Sequence, residues 1–396
     1  MKIFLKHMDS TSIIKNTCML VKPLYLVLLF SVLLVLNGCI VQFLPETNEE
    51  QELLVVEGLI TDQYGPSTIK LSKSLPLGGR NAARPFEGCN VSISDDLGNN
   101  YNLYETVAGT YITNPSDFQG IIGRSYILHI STNASPISLS YRSLPMEMKP
   151  VPPMDSIFYE KIAINDGRVG TQIPEGCQIY VNTHDPENVC KFYRWEYSET
   201  WEFKLPYLVP NKICWISSSS DQINIKSTAS LVEDRINRYP LTFISNMTDR
   251  LRVKYSILVN QYSLNEDEYL YWEKLQNISE HIGGLYDITP SSINNNIWCV
   301  ESPDEKVLGY FSVSASSSKR IFVKDNFKGI IDLYNSCNAD TVFGGEPISF
   351  LNEFVWVVID HQMPPPSFKV ITYTKGCYDC SVRGTTIEPI FWRDDE

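Results

Sequence analysis

The stretch LLVVEGLIT, Leu53–Thr61, is followed six residues later by TIKLSKS, Thr68–Ser74. The first is almost wholly aliphatic around Gly58, and the second alternates, with Ile69 and Leu71 facing one way. Apolar runs of this length with period two, separated by turn residues, read as β-strands rather than helices. Further on, Val91 and Ile93 alternate with serines and lead into Asp95-Asp96-Leu97-Gly98-Asn99. That is a turn signature, with a glycine free to take positive φ. Tyr101–Tyr104, Gly109–Thr113, Ser125–Ser131 and Ile137–Ser143 continue the pattern, giving seven strands between residues 53 and 144. Seven short strands at this spacing predict an N-terminal β-sandwich of immunoglobulin or transthyretin-like kind, not βαβ units. Asp95 and Asp96 read as turn residues before calcium ligands.

Pro145, Pro150, Pro152 and Pro153 then stiffen a linker over residues 145–156, since consecutive prolines favour extended backbone. Beyond it, residues 157–396 read as a second, larger β-rich domain. Tyr193, Trp195, Tyr197, Trp201 and Phe203 recur at period two, so one face of a strand is nearly all aromatic. Such a face is either a stacking platform for a ligand, with Tyr193, Trp195, Tyr197 and Trp201 as its contacts, or one side of a core, where aromatic stripes usually pack. Later strands are expected at Leu251–Tyr262, Val307–Ser314, Arg320–Lys324 and Phe354–Asp360. One prominent helix is expected over 263–282: Ser263 and Glu266 have the spacing of a capping box, and Leu264, Tyr271, Leu275 and Ile278 share a face before Gly283-Gly284.

The first 40 residues carry an address. Lys2, Lys6, Lys15 and Lys22 precede the apolar run Leu24–Leu36, and Leu36-Asn37-Gly38-Cys39 follows. A positive segment and a short apolar run read as a secretory signal over residues 1–38, too short to span a bilayer comfortably. The cysteine placed directly behind it resembles the bacterial lipobox, which implies lipidation of Cys39. Residues 39–52, with Glu46, Glu49, Glu50 and Glu52, form an acidic tether that resembles a surface-sorting signal of Bacteroidota lipoproteins. The whole chain, at 396 residues, carries a net charge of −13, which argues against nucleic-acid binding.

Eight cysteines lie beyond Cys39, an even number that in an exported protein reads as disulfides. Cys377 and Cys380 form a C-x-x-C bracketed by Gly376 and Gly384 in turn-like sequence, without the second pair a zinc site needs. A structural staple from Cys337 to one of this pair is the expectation, its connectivity left open. No motif for catalysis, nucleotide or metal binding occurs, and no cofactor is implied. Asp155-Ser156-Ile157 and Asp340-Thr341-Val342 match a short O-glycosylation pattern, making Ser156 and Thr341 candidate acceptors.

Several segments together resemble one family: the lipobox, LLVVEGLITD, VSISDDLG, PVPPMDSIFYE, YSILVNQYSLNEDEYLYWEKL, VLGYFSVSA with KRIFV, and the C-terminal C-x-x-C before RGTTIEPIFW. The chain is identified on them as a member of the Bacteroidota lipoproteins grouped as domain of unknown function 4249. The resemblance implies an outer-membrane lipoprotein, exposed at the surface, that serves a TonB-dependent transporter in nutrient uptake as a binding or lid partner. It brings no catalytic residue. A structural or adhesive surface protein is the alternative expectation, and a hydrolase with an unrecognised site the second.

Overall fold

A computed structural model describes residues 52–74, 84–133, 138–164, 173–280, 295–334, 337, 339–344, 355–362 and 366–393. It is mainly β: five sheets and one α-helix, Glu266–Glu280, among the described residues. Cys39 and the signal segment lie outside them, as does the end of the expected helix at 281–284.

The opening strands form as their pattern dictates. Leu54–Ile60 and Thr68–Lys73 are antiparallel neighbours, and Thr110–Ile112 and Tyr104–Val107 extend the same first sheet. Asn90–Asp95 pairs with Asn100–Asn102 across the expected turn, where Gly98 takes φ +84. Both Asp95 oxygens are used inside that turn, accepting from the Leu97 and Asn99 backbone and the Asn99 side chain, while Arg124 pairs with Asp95 at 2.8 Å. The carboxylate is thus a turn brace. Ser125–Ser131 and Ser140–Ser143 complete this second sheet with Asn90–Asp95. Val56, Ile60, Ile69 and Leu71 from the first sheet and Val91, Ile93, Leu128 and Ile130 from the second fill one core, sandwich fashion.

The expected division at residues 145–156 is crossed. Residues 297–313 return from the C-terminal side of the linker and finish both N-terminal sheets. Ile297–Cys299 pairs with Ser140–Ser143, and Val307–Val313 pairs in parallel with Leu54–Ile60. Phe311 and Val313 enter the sandwich core fully buried. The parallel pair needs a long crossover, here residues 61–306. Its register sets Gly309 opposite Val56 at φ +90, and a Cβ there would stand 1.9 Å from the Val56 carbonyl oxygen.

The second core lies between two more sheets. Met154–Ala163, Glu175–His184 and Arg235–Ile244 make one. Ile213–Ser219, Phe192–Lys204, Lys254–Ser263 and Ser316–Val323 make the other, with Asn224–Ser227 paired to Phe192–Lys204. The aromatic stripe points into this core: Tyr193 and Trp195 are fully buried, Tyr197 and Trp201 under a tenth exposed. The stacking-platform expectation is therefore corrected, because Trp195 is sandwiched against Tyr193 and Tyr239 with no open ring face. Its indole N–H donates to Gln261 Oε1 at 2.8 Å, and Gln261 Nε2 donates to the Pro152 carbonyl, also at 2.8 Å, which ties the proline segment to the core. The capping box is corrected too. Ser263 is the last residue of its strand and donates its hydroxyl to the Lys149 carbonyl, so the helix starts at Glu266 behind Asn265.

A small C-terminal sheet, Ala339–Phe343, Phe368–Thr372 and Trp356–His361, precedes the C-x-x-C. Cys337 bonds to Cys377, but Cys380 bonds to Cys214 on the second-core sheet, a partner sequence reading did not single out. Cys89, Cys177, Cys190 and Cys299 are buried free thiols, so half of the expected staples are core packing instead. The bridges close separations of 40 and 166 residues, worth roughly 4–5 kcal/mol each in chain-entropy terms.

Two outcomes follow from this packing. Gly309→Ala is expected to destabilise by about 2–4 kcal/mol through the clash with Val56 and the positive φ; chemical denaturation at unchanged stability would refute the parallel register. Non-reducing peptide maps should link Cys214 to Cys380 and Cys337 to Cys377, with the other four thiols alkylated only after denaturation.

Candidate functional site

The period-two strand that buries Tyr193, Trp195 and Tyr197 turns its even-numbered side chains, Arg194 and Glu196, the other way. They enter a cleft of about 710 Å³ between the outer face of the first sheet, the helix and the outer face of the second-core sheet. The first sheet supplies Val55, Glu57, Leu59 and Lys70, and its returning edge strand adds Leu308, Gly309, Tyr310 and Ser312. Tyr271, Trp272 and Leu275 come from the helix, and Asp221 and Ile223 from the loop before Asn224–Ser227.

Apolar surface from aliphatic and aromatic side chains dominates the walls, and four of the five charges are arranged in pairs. Arg194 forms an ion pair with Glu196, and its guanidinium lies 3.8 Å from the Trp272 ring centroid, a stacking worth roughly 1 kcal/mol. Glu57 and Lys70 face each other across neighbouring strands, where opposite charges attract. Asp221, exposed at the rim, is left without an ion-pair partner among the described residues. The cleft's surplus charge is negative.

A second cavity of about 620 Å³ shares Asp221 and Ile223 with the first and continues along the same side of the helix to Gln276 and Ser279. Gln178, Gln222, Asn224, Thr242, Gln276 and Ser279 line it, an amide and hydroxyl surface. Gln178 and Gln276 donate to backbone carbonyls, but the buried Asn224 Nδ2 has no hydrogen-bond partner among the described residues.

Directly behind the cleft wall sits Glu268, wholly buried. Trp272 donates its indole N–H to Glu268 Oε1 at 3.4 Å, and no described group completes a hydrogen bond to Oε2. Burial pushes this carboxyl up to about 7, tempered by the nearby Ser312 hydroxyl, the Arg194 charge and Trp272. Tyr271 on the next turn is pushed up to about 12, again by burial first and the Glu57 charge second.

The residues singled out from sequence lie elsewhere. Tyr193, Trp195, Tyr197 and Trp201 are the back of the same strand, not the cleft. Ser156 is half-buried and its oxygen accepts from Asn182 Nδ2 at 2.9 Å, whereas Thr341 is exposed on its strand. His184 pairs with Asp155 at 2.6 Å, and the Asp185 carboxylate caps the Glu187, Val189 and Cys190 backbone. No group of three or more metal-ligating side chains gathers among the described residues. Sequence reading missed Arg194, Glu196, Asp221 and Trp272; the one available signal was that the aromatic stripe alternates with charged residues.

The profile of the family described as domain of unknown function (DUF4249) matches residues 40–320. Every residue lining the cleft falls inside that match, while the C-terminal sheet and the C-x-x-C lie beyond it. No curated protein matches the chain.

Glu268 sets a testable pH dependence. Folded, it keeps its proton up to about pH 7, while an unfolded glutamic acid releases it near 4.5. Its contribution is therefore full below about 4.5 and is lost as pH rises through 7, on the order of 3 kcal/mol. Glu268→Gln, neutral throughout, should fall less in unfolding free energy than the parent between pH 5 and pH 8. Equal slopes for the two proteins would refute the burial.

Proposed function

The chain belongs to the DUF4249 family, and from that premise we propose that it is a lipid-anchored surface protein of the outer membrane that captures a ligand for a TonB-dependent transporter. The address rests on Leu24–Leu36 and the Gly38-Cys39 junction. Each buried acyl methylene contributes about 0.8 kcal/mol, so a multiply acylated Cys39 anchors stably where one chain would exchange. The acidic residues 39–52 fit a solvated tether that holds the folded part off the membrane.

The observation that carries the binding role is the cleft. A concavity of about 710 Å³ with mostly apolar walls and a few placed charges has the size and chemistry of a ligand site. Its walls come from the sandwich, the helix and the second-core sheet, so a ligand there touches all three. A lid or delivery partner uses such a seam, because small movements of one wall open it.

Cross-linking in intact cells, followed by purification of the native protein, tests both address and partner. Recovery of a TonB-dependent receptor is expected, and its loss in Cys39→Ala together with loss of palmitate labelling. Repeated purification without any such receptor would overturn the transporter role. On the glycosylation pattern, the exposed Thr341 is the better acceptor than the hydrogen-bonded Ser156. Mass spectrometry finding no glycan on Thr341 removes that assignment.

A further inference from the structure

We propose that the two cavities beside the helix form one groove for an extended peptide with apolar side chains and a basic residue. The proposal rests on the reading of the cleft as the ligand site and names the class of ligand. Three observations converge on it.

The first is continuity. Asp221 and Ile223 line both cavities, so the apolar half and the amide-rich half meet at one carboxylate. An occupant that fills both is elongated, with aliphatic groups at one end and polar, hydrogen-bonding groups at the other.

The second is charge. Within the groove Lys70 faces Glu57 and Arg194 pairs with Glu196, while Asp221 at the junction faces no cation among the described residues. A positively charged side chain on the occupant supplies the missing partner. An anionic occupant would instead meet the unpaired charge of Asp221.

The third is an orphaned donor. Asn224 is 7% exposed, lines the polar half, and has a buried Nδ2 without a partner. A buried amide N–H left unmet costs about 1–3 kcal/mol, and a small rotation of the Asn224 side chain toward the groove would let a carbonyl oxygen there remove that cost. Peptide backbone offers such carbonyls at regular intervals, alongside the apolar and basic side chains the other two features select.

The test uses the full lipidated chain in nanodiscs and three probes: acetyl-Leu-Leu-Lys-Leu-Ala-amide and its analogues with norleucine or glutamate in place of lysine. Calorimetry should show the lysine peptide binding about fivefold tighter than the norleucine one, with the glutamate peptide weakest. Asp221→Asn, a surface change, should abolish the ranking. Asn224→Ala should weaken all three alike by about fivefold. Leu308→Arg, at an exposed wall position, should block all binding. Absence of the ranking, or its survival in Asp221→Asn, overturns the peptide class; binding still lost in Leu308→Arg would then leave the cleft as the site. Peptide binding untouched by Leu308→Arg overturns the cleft reading itself. No binding of any probe overturns the peptide class alone, since the transporter role is read by the receptor cross-link.

Discussion

The parallel pairing of Val307–Val313 with Leu54–Ile60 is the constraint on which the rest of the structure depends. It joins the first described strand to a segment some 250 residues later, so neither N-terminal sheet is finished until all but the last strand of the second pair of sheets has passed along the chain. Parallel neighbours cannot be joined by a tight turn, and everything between them must form a crossover. That crossover holds the other strands of the sandwich, the proline segment, all but the last strand of the second pair of sheets, and the helix. The register also leaves no freedom at Gly309, whose backbone lies against Val56 with no room for a side chain.

From that pairing the cleft follows. The returning strand brings Tyr310 and Ser312 up to the helix, where Tyr310 packs on Tyr271 with ring centroids 4.8 Å apart. Because the strand is the edge of its sheet, its outer face is one wall of a seam and not the middle of a core. Asn296 seals the edge at Phe311, accepting from its N–H at 3.0 Å and donating to its carbonyl at 2.8 Å. Side-chain amides thus satisfy backbone groups that would otherwise invite another strand. The opposite wall is held by Trp195, Gln261 and Pro152 in one buried chain of hydrogen bonds. The linker that looked like a spacer is part of the packing.

Local pattern was legible in the sequence and long-range return was not. Ile69 and Leu71, Val91 and Ile93, and the turn at Gly98 declared their strands because alternation and turn chemistry act within a few residues. Val307–Val313 was equally readable as a strand, yet no local feature says which sheet it joins. The aromatic stripe showed its period and concealed its role, since a buried face and a binding face have the same spacing. Ser263 and Glu266 had the spacing of a cap, but the serine was needed by the Lys149 carbonyl, a tertiary contact that overrides local preference. Disulfide partners are likewise tertiary facts: Cys214 carries no sequence mark that points to Cys380.

Glu268 is where the sequence is least consistent with plain packing. A carboxyl at a fully buried helical position, with one oxygen unmet, is less stable there than an aliphatic side chain of similar volume. Stability alone does not favour it. Its neighbours explain the position better: Trp272 and Ser312 both line the cleft, and Arg194, held over the Trp272 ring, feels its charge. Arg194 in turn favours the charged form of Glu268 against the cost of its burial. Residues that break local rules at a cost to stability gather where a protein needs a particular charge arrangement. The one rule-breaking carboxyl in the helix backs the wall of the cleft, and that coincidence ties the energetics of the fold to the site it encloses.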